Sequence, residues 1–240
     1  MNAEQLKATK RPAAERGRAD HGWLQARFTF SFAGYVDPDH MGFKSLRVMN
    51  NDTIQPGGGF PLHPHEDMEI FTYVIEGQLA HADSMGNRAV IEAGNLQYMS
   101  AGSGVTHSEF NPSETHHTLL YQIWLLPSER GGEPRYAEKP LQSHATLNAL
   151  VPLFSGDGRN GSTKIRQNAE ISFARVQADR TVSIIASETL PHLWIQVITG
   201  ALRVGSEVLH TGDGLAIEDH TDALGITALE DCECLVFRLS

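Results

Sequence analysis

Two short segments of the chain combine residue types that bind divalent metal ions, His63-Pro64-His65 and Thr106-His107-Ser108-Glu109. In an extended strand, side chains two residues apart point to the same face, with Cα atoms about 7 Å apart. Each segment can therefore direct two donors at one ion, and a barrel can bring both pairs to its interior. Together they offer three neutral imidazoles and one carboxylate. This set suits a divalent transition ion and leaves coordination positions open for a substrate.

A second acidic residue competes for the carboxylate position. Glu69 shares the strand parity of His63, so spacing alone leaves Glu69 and Glu109 equally open as ligands. The adjacent pair His116-His117 points to opposite faces of an extended chain and makes a poor chelate. The remaining histidines have no partnered spacing, and each is expected to be an ordinary polar residue: His21, His40, His81, His144, His192, His210 and His220.

β-Strands are the elements that must position these donors. Short β-branched and aromatic runs alternate with turn residues, and 22 glycines and 11 prolines are scattered between them. This pattern predicts an all-β protein, with Ala3 to Ala14 and His144 to Leu150 as the candidates for short helices. The predicted strands are Phe28 to Phe32, Ser45 to Met49, Ile70 to Ile75, Ala89 to Ile91, Leu119 to Leu126, Ile171 to Val176, Val182 to Ala186, Leu193 to Ile198, Leu202 to Val204 and Cys234 to Leu239.

A faint internal repeat predicts two similar β units. Phe71 to Leu79 and Ile195 to Leu202 both have the pattern strand, glycine turn, strand. An ungapped overlay of the two halves replaces the four candidate ligands His63, His65, His107 and Glu109 by Ala186, Glu188, Gly225 and Thr227. The metal site is therefore expected in the first half alone. We predict an N-terminal extension at residues 1–20, a metal-binding barrel at 21–140 and a barrel without metal ligands at 141–240.

Charge and composition exclude several classes of partner. The formal net charge of -10 lacks the basic footprint that binding to nucleic acid needs. The basic residues between Lys7 and Arg18 are expected to form a solvated tail. No apolar run has the length of a membrane span or of a signal peptide, which predicts a cytoplasmic protein with no membrane partner. Cys232 and Cys234 share one face of a predicted strand, so they are expected to stay reduced.

The spacing around the candidate ligands resembles the two motifs of the cupin family. Gly57-x5-His63-x-His65-x3-Glu69-x7-Gly77 looks like the first motif. Gly94-x5-Ser100-x-Gly102-x4-His107-x3-Asn111 looks like the second. The second departs from the usual form, with Ser100 where proline is common and a longer interval between glycine and histidine.

More specifically, the sequence resembles the pirin family over most of residues 16 to 130, and its C-terminal half fits the family in general layout. The segments that carry the resemblance are Gly22-Trp23-Leu24, Thr29-Phe30-Ser31-Phe32, Asp37-Pro38, Met41-Gly42-Phe43, Leu46-Arg47-Val48, His63-Pro64-His65, Asp83-Ser84-Met85-Gly86-Asn87 and Met99-Ser100-Ala101-Gly102. Pirins are bicupins, so the resemblance implies two consecutive jelly-roll (double-stranded β-helix) barrels with the metal in the first. It also implies His63, His65, His107 and Glu109 as the metal ligands, and leaves Glu69 a supporting role.

The resemblance further implies an activity. Pirin-like bacterial proteins are similar to quercetin 2,3-dioxygenases, which act on a small aromatic substrate and dioxygen. The expected reaction is cleavage of the heterocyclic ring of a flavonol, with release of carbon monoxide. Glu109 would be the catalytic residue that accepts or steers the proton of the flavonol 3-hydroxyl. The resemblance favours iron as the ion, and the ligand set also accepts nickel, copper, manganese or zinc.

Two further functions fit the same residues. Pirins are also associated with a non-enzymatic role, in which the metal or its redox state changes a surface that binds a regulator or an enzyme. A barrel held together by structural zinc is the third, and it would unfold on chelation. Turnover distinguishes the dioxygenase from the non-enzymatic binding protein, because an enzyme releases many equivalents of product whereas a binding protein responds stoichiometrically.

Overall fold

The structure is a computed structural model that describes residues 7–141 and 146–240. Within those residues the regular structure is almost wholly β, which confirms the predicted class. Short 3-10 turns lie at Ala13–Glu15 and Arg159–Gly161. The strands are β1 (Ala8–Arg11), β2 (Gly17–Asp20), β3 (Leu24–Phe28), β4 (Leu46–Ile54), β5 (Gly59–His65), β6 (Glu69–Glu76), β7 (Gln78–Asp83), β8 (Arg88–Glu92), β9 (Asn95–Ser100), β10 (Val105–Phe110), β11 (Thr118–Leu125), β12 (Arg135–Pro140), β13 (Ala149–Ser155), β14 (Thr163–Lys164), β15 (Ala169–Val176), β16 (Thr181–Ile184), β17 (His192–Thr199), β18 (Ala201–Val204), β19 (Glu207–His210), β20 (Gly214–Ile217), β21 (Leu224–Ala228) and β22 (Cys232–Leu239).

The chain divides into two compact units. One is Arg16–Ser143, and the other combines Met1–Glu15 with His144–Ser240. The sequence-based limits of 1–20, 21–140 and 141–240 stay a prediction. Each unit is described separately below.

The unit Arg16–Ser143 consists of two sheets that are mainly antiparallel. A seven-stranded sheet has the order β12-β9-β6-β11-β4-β3-β2, and a four-stranded sheet has the order β5-β10-β7-β8. Leu24–Phe28 alternates buried and exposed residues, as expected of a strand with one face on a core. The apolar core between the sheets includes Val74, Leu79 and Ile91, each fully buried. The candidate ligands lie on the four-stranded sheet and face this interior.

The second unit repeats the arrangement. Its sheets have the orders β1-β20-β17-β22-β15-β13-β14 and β16-β21-β18-β19. The interior of this unit contains a continuous apolar cluster that includes Ile195, Leu215 and Val236, all fully buried. Cys232 and Cys234 are free thiols buried in the same cluster, as predicted. Burial raises the pKa of the Cys232 thiol to about 11, which keeps it protonated.

The glycine turns of the repeat occupy equivalent positions in the two units. Gly77 joins β6 to β7 with φ +77°, and Gly200 joins β17 to β18 with φ +79°. A Cβ at Gly77 would lie 2.6 Å from the carbonyl oxygen of His117, and one at Gly200 would overlap that of Asp231. Glycine is needed at both turns because the φ angle and the close backbone both disfavour a side chain. The shared turn supports the duplication of one β unit.

The N-terminal residues differ from the sequence-based prediction. The basic stretch is not a solvated tail, because Arg11 and Arg16 are 4% and 5% exposed. Ala8–Arg11 pairs with Gly214–Ile217 inside its own unit, and Lys10 Nζ lies 2.8 Å from Asp213 Oδ2. The predicted helix at Ala3 to Ala14 is therefore wrong where it is described, from residue 7 onward.

Two other local predictions need correction. The strand predicted at Phe28 to Phe32 instead ends at Phe28, and the chain turns through Ala33, whose φ is +50°. Part of the candidate helix His144 to Leu150 lies outside the described residues, and its last two residues begin strand β13. In the described part of the chain, no helix is long and apolar enough to cross a membrane.

Candidate metal centre

Strands β5 and β10 carry the candidate ligands and are antiparallel neighbours. His107 pairs directly with His63, and the register then shifts so that Glu109 pairs with Phe60. Two residues of β10 thus match three of β5, which is a β-bulge. Pro61 and Pro64 are tolerated in β5 because this strand forms the edge of its sheet. The irregular edge presents the two histidines of β5, His63 and His65, beside His107 of β10.

The three histidines lie close together in the structure. Each of His63, His65 and His107 offers a ring nitrogen, and these nitrogens lie within 4.8 Å of one another. The ring centroids are separated by 4.4 Å for His63 and His107, 4.8 Å for His63 and His65, and 4.9 Å for His65 and His107. His107 is buried, and the other two are partly exposed. This cluster can hold one metal ion.

The state of the ring nitrogens fits a cation. His63 Nδ1 lies 2.8 Å from the carbonyl oxygen of Pro61. A carbonyl can only accept, so His63 donates from Nδ1, and in the neutral ring Nε2 is then the bare nitrogen. Nε2 of His107 is buried and has no hydrogen-bond partner among residues 7–141 and 146–240. A buried nitrogen without a partner is costly, and a bound ion would satisfy it.

Two of the three imidazoles are held in the neutral form that metal binding requires. The pKa of His65 is lowered to about 4, first by burial and then by the nearby His107 and His63. Burial, followed by the neighbouring His63 and His81, lowers the pKa of His107 to about 3. Both rings are therefore neutral at physiological pH, so an ion need not displace protons from them.

Glu109 lies at the same centre but is held apart from the three histidines. Its carboxylate does not belong to the described group of nitrogens within 4.8 Å. Oε1 accepts a hydrogen bond of 3.2 Å from Thr72 Oγ1, and Oε2 accepts one of 3.1 Å from Gln122 Nε2. Burial raises the pKa of Glu109, while His81, Thr72, His63 and Gln122 oppose that effect. Its assignment as fourth ligand and catalytic residue stays a prediction.

A cavity of about 170 Å³ lies against this cluster. Its lining is mixed: aromatic and aliphatic side chains stand beside the histidines, two carboxyl groups and two amides. The lining residues are Phe32, Asn50, Asp52, Phe60, His63, His65, Ile70, His107, Glu109, Gln122 and Trp124. An apolar cavity with a few convergent polar groups is the usual form of a small-molecule site.

Asp52 is a second buried carboxyl group in the cavity wall, and no motif in the sequence predicts it. It is 4% exposed, and Oδ1 has no hydrogen-bond partner in the described ranges. The pKa of Asp52 is raised to about 7, first by burial and then by the nearby Glu109, while Arg16 opposes the rise. The cavity therefore contains two carboxyl groups that are more basic than ordinary ones.

Glu69, the other carboxylate that spacing allowed, faces away from the cluster. Tyr98 donates a hydrogen bond of 2.5 Å to Oε2 of Glu69, and Ser100 donates to Oε1. The residues of β6 on the cavity side are Ile70, which lines the cavity, and Thr72, which contacts Glu109. Glu69 points to the other face of β6 from Ile70 and Thr72. The chain turns between His65 and β6, so the alternation along β5 does not continue into β6. Its contacts support a structural role.

His81 has no partnered spacing in the sequence, yet its side chain contacts a candidate ligand. Its Nε2 lies 3.2 Å from Nδ1 of His107, and both side chains are buried. The contact depends on the pairing of β7 with β10, which places His81 opposite Glu109. No sequence spacing signals it. In contrast, His116 and His117 are exposed, consistent with the prediction that they are poor ligands.

Comparison with protein-family models finds two matches. Residues 9–125 match the model described as Pirin, and residues 152–239 match the quercetinase C-terminal cupin domain. Together with the two pairs of sheets, these matches confirm the predicted fold of two consecutive cupin barrels.

Similar proteins are also found along nearly the whole chain. A quercetin 2,3-dioxygenase of Escherichia coli is 46% identical over 95% of this chain and 97% of its own length. A putative quercetin 2,3-dioxygenase of Pseudomonas aeruginosa is 42% identical over 96% of this chain and 99% of its own. Among solved structures, the bacterial pirin YhhW of Escherichia coli in complex with nickel(II) has a TM-score of 0.91. It is 44% identical to this chain and covers 97% of it, and the match extends over 98% of that protein.

Proposed function

This chain belongs to the pirin family, and on that premise we propose that its first barrel is a metal-dependent dioxygenase acting on a flavonol such as quercetin. The proposed reaction cleaves the heterocyclic ring and releases carbon monoxide. The observation that carries the proposal is the convergence of His63, His65 and His107 at the wall of a cavity that aromatic and aliphatic side chains also line. The names of the relatives, quercetin 2,3-dioxygenase and putative quercetin 2,3-dioxygenase, support the same reaction class.

The proposed cofactor is one divalent transition ion. We propose iron in the cell, and the nickel(II) complex of the related pirin shows that a protein of this family binds such an ion. His63, His65 and His107 would hold it, with Glu109 as the proposed fourth ligand. When bound, the ion would act as a Lewis acid and allow dioxygen to react with the substrate.

The cavity wall orients the substrate and excludes water from it. Phe60 and Trp124 provide flat apolar surfaces beside the histidines, and Ile70 adds an aliphatic one. At about 170 Å³ the cavity is smaller than the roughly 300–1,000 Å³ of sites that enclose drug-sized ligands. We therefore expect the ring that carries the 3-hydroxyl to enter, with the rest of the flavonol extending past the partly exposed His63 and His65.

Glu109 is the proposed proton acceptor for the 3-hydroxyl of the substrate. Its burial raises the pKa of the carboxyl group, which makes the carboxylate a stronger base than an exposed one. Thr72 and Gln122 each donate to one oxygen and so fix the orientation of the carboxylate. Deprotonation of the substrate is thus assigned to a group whose position is set before the substrate arrives.

The proposal is tested by oxygen consumption. Protein loaded with one equivalent of iron is mixed with quercetin, and dioxygen uptake and carbon monoxide release are followed together. The control is His63→Ala, prepared and loaded in the same way. Uptake of many equivalents above this control, with matching carbon monoxide, supports the proposal. Uptake equal to that of His63→Ala contradicts it.

A further inference from the structure

His107 and His63 differ in the contact that determines which ring nitrogen carries the proton. The Nδ1 of His63 contacts a backbone carbonyl, which can only accept, so the fold fixes the tautomer of neutral His63, with Nε2 bare. The Nδ1 of His107 instead meets Nε2 of His81 at 3.2 Å. A neutral imidazole has one N–H and one bare nitrogen, so either ring can be the donor in this contact.

The direction of this hydrogen bond decides whether His107 can bind an ion. If His107 donates from Nδ1, its Nε2 is bare and available to a cation. If His81 donates from Nε2, the proton of His107 lies on Nε2 and blocks coordination. The two directions therefore correspond to a binding-competent and a binding-incompetent His107, with the same positions of the heavy atoms.

No other described contact of His81 selects between the two directions. Its Nδ1 is buried and has no hydrogen-bond partner within the described residues. Its ring stacks on Tyr136, with centroids 5.4 Å apart and an interplanar angle of 24°. The hydroxyl of Tyr136 is engaged elsewhere, since it donates 2.8 Å to Oε1 of Glu138. Stacking thus fixes the plane of the His81 ring and leaves its tautomer free.

We propose that His81 is a positioning residue for the metal centre: it accepts a hydrogen bond from His107 Nδ1 and so keeps His107 Nε2 bare and directed at the ion. The inference rests on the proposed metal site and adds a residue to it. His81 does not belong to the described group of ligand nitrogens within 4.8 Å, which separates its role from that of a ligand. Bound metal selects one direction of the hydrogen bond, and His81 supplies the acceptor that this direction needs.

Substitution of His81 tests the role through metal affinity. His81→Leu removes the hydrogen-bond acceptor and places an apolar side chain of similar size against Tyr136. His81→Gln places an amide oxygen near the former Nε2 and can accept the same hydrogen bond. The dissociation constant for nickel(II), measured by competition with a chelator, is expected to rise roughly 10- to 100-fold in His81→Leu. In His81→Gln it should stay within about 3-fold of the unsubstituted protein.

The matched control is His116→Ala, which removes an exposed histidine and should leave the dissociation constant unchanged. Nickel binding by His81→Leu that is as tight as in the unsubstituted protein overturns the proposal. So does a His81→Gln variant as weak as His81→Leu, because that result indicates a packing role rather than an acceptor.

The proposal can also be tested on the unsubstituted protein, which matters if His81→Leu does not fold. Nitrogen-15 NMR of the unsubstituted protein reports which ring nitrogen of each histidine carries the proton. With zinc(II) bound, we expect His107 to be protonated on Nδ1 and His81 on its own Nδ1. A proton on Nε2 of His81 in the zinc-loaded protein contradicts the proposal.

These readouts are independent of turnover. If nickel affinity depends on His81 as expected but quercetin drives no oxygen uptake, the proposed dioxygenase activity fails and the role of His81 stands. If quercetin is turned over while His81→Leu binds nickel normally, the activity stands and the role of His81 fails.

Discussion

The side-chain amide of Gln122 donates a hydrogen bond of 3.1 Å to Oε2 of Glu109, and both side chains are buried. The two residues lie on different sheets of the first unit, Gln122 on β11 and Glu109 on β10. The hydrogen bond therefore crosses the barrel interior and ties the carboxylate to the opposite wall. Thr72, the cross-strand neighbour of Gln122, donates to the other oxygen. The position of the proposed base is thus set by the packing of one sheet on the other.

Replacement of Glu109 by glutamine should separate catalysis from metal binding. Glu109→Gln keeps the shape of the side chain but removes the base, so quercetin-dependent oxygen uptake should fall at least about 100-fold. At saturating ion the protein should still bind close to one equivalent, because the three histidines remain. The matched control is Glu114→Gln, at an exposed position. Activity of Glu109→Gln within about 3-fold of the control would refute the role of Glu109 as proton acceptor.

We expect all the bound metal to be held by the first unit, Arg16–Ser143. Among the described residues, the one group of suitable donors is His63, His65 and His107. We expect one nickel(II) per chain by titration calorimetry, and loss of that binding event in His107→Ala. His116→Ala, the exposed control, should keep it. A second stoichiometric ion that survives in His107→Ala would show a site that the described residues do not reveal.

The histidine cluster could be predicted from the sequence because its geometry is local. His63 and His65 are two residues apart on one strand, so strand alternation alone places both imidazoles on one face. Strand β5 itself is not among the predicted strands, and Pro61 and Pro64 lower its β propensity. The edge position of β5 explains how the structure accommodates them.

The rest of the site depends on register, which the sequence does not reveal. His81 reaches His107 because β7 pairs with β10, and Asp52 reaches the cavity from β4 on the other sheet. No spacing pattern connects either residue with the ligands along the chain. The shared parity of His63 and Glu69 is not a reliable guide, because side chains alternate regularly only within one strand and these residues lie on two, β5 and β6.

Gly59 is a packing constraint on the position of Glu109. A Cβ at Gly59 would overlap the backbone oxygen of Glu109 and lie 2.6 Å from Cα of Phe110. Gly59→Ala must therefore push β10 away from β5, at a cost of about 1–3 kcal/mol in the free energy of unfolding. We also expect weaker nickel binding, since His107 moves with β10. The control is Gly34→Ala, because no atom lies within 4 Å of a Cβ there. Equal stability of the two variants in urea denaturation would contradict this account.

The pH dependence of stability should reveal the buried carboxyl group of Asp52. Its pKa is raised from 3.8 to about 7, first by burial and then by the proximity of Glu109. The folded state therefore holds a proton on Asp52 at pH values where the unfolded state has lost it. Because the folded state binds more protons in this window, the free energy of unfolding falls as pH rises from about 4 to 7 and then levels off.

Asp52→Asn removes this titration, so the test compares how the two proteins change with pH rather than how stable each is. Between pH 5 and pH 8 the unsubstituted metal-free protein should lose roughly 2–3 kcal/mol more stability than Asp52→Asn. The amide and the buried Arg16 near it also affect packing and charge, but that cost is the same at both pH values and cancels in the comparison. The measurement is urea denaturation at each pH, in the presence of a chelator. Parallel pH profiles for the two proteins would show that Asp52 is already ionised at pH 5 in the folded state.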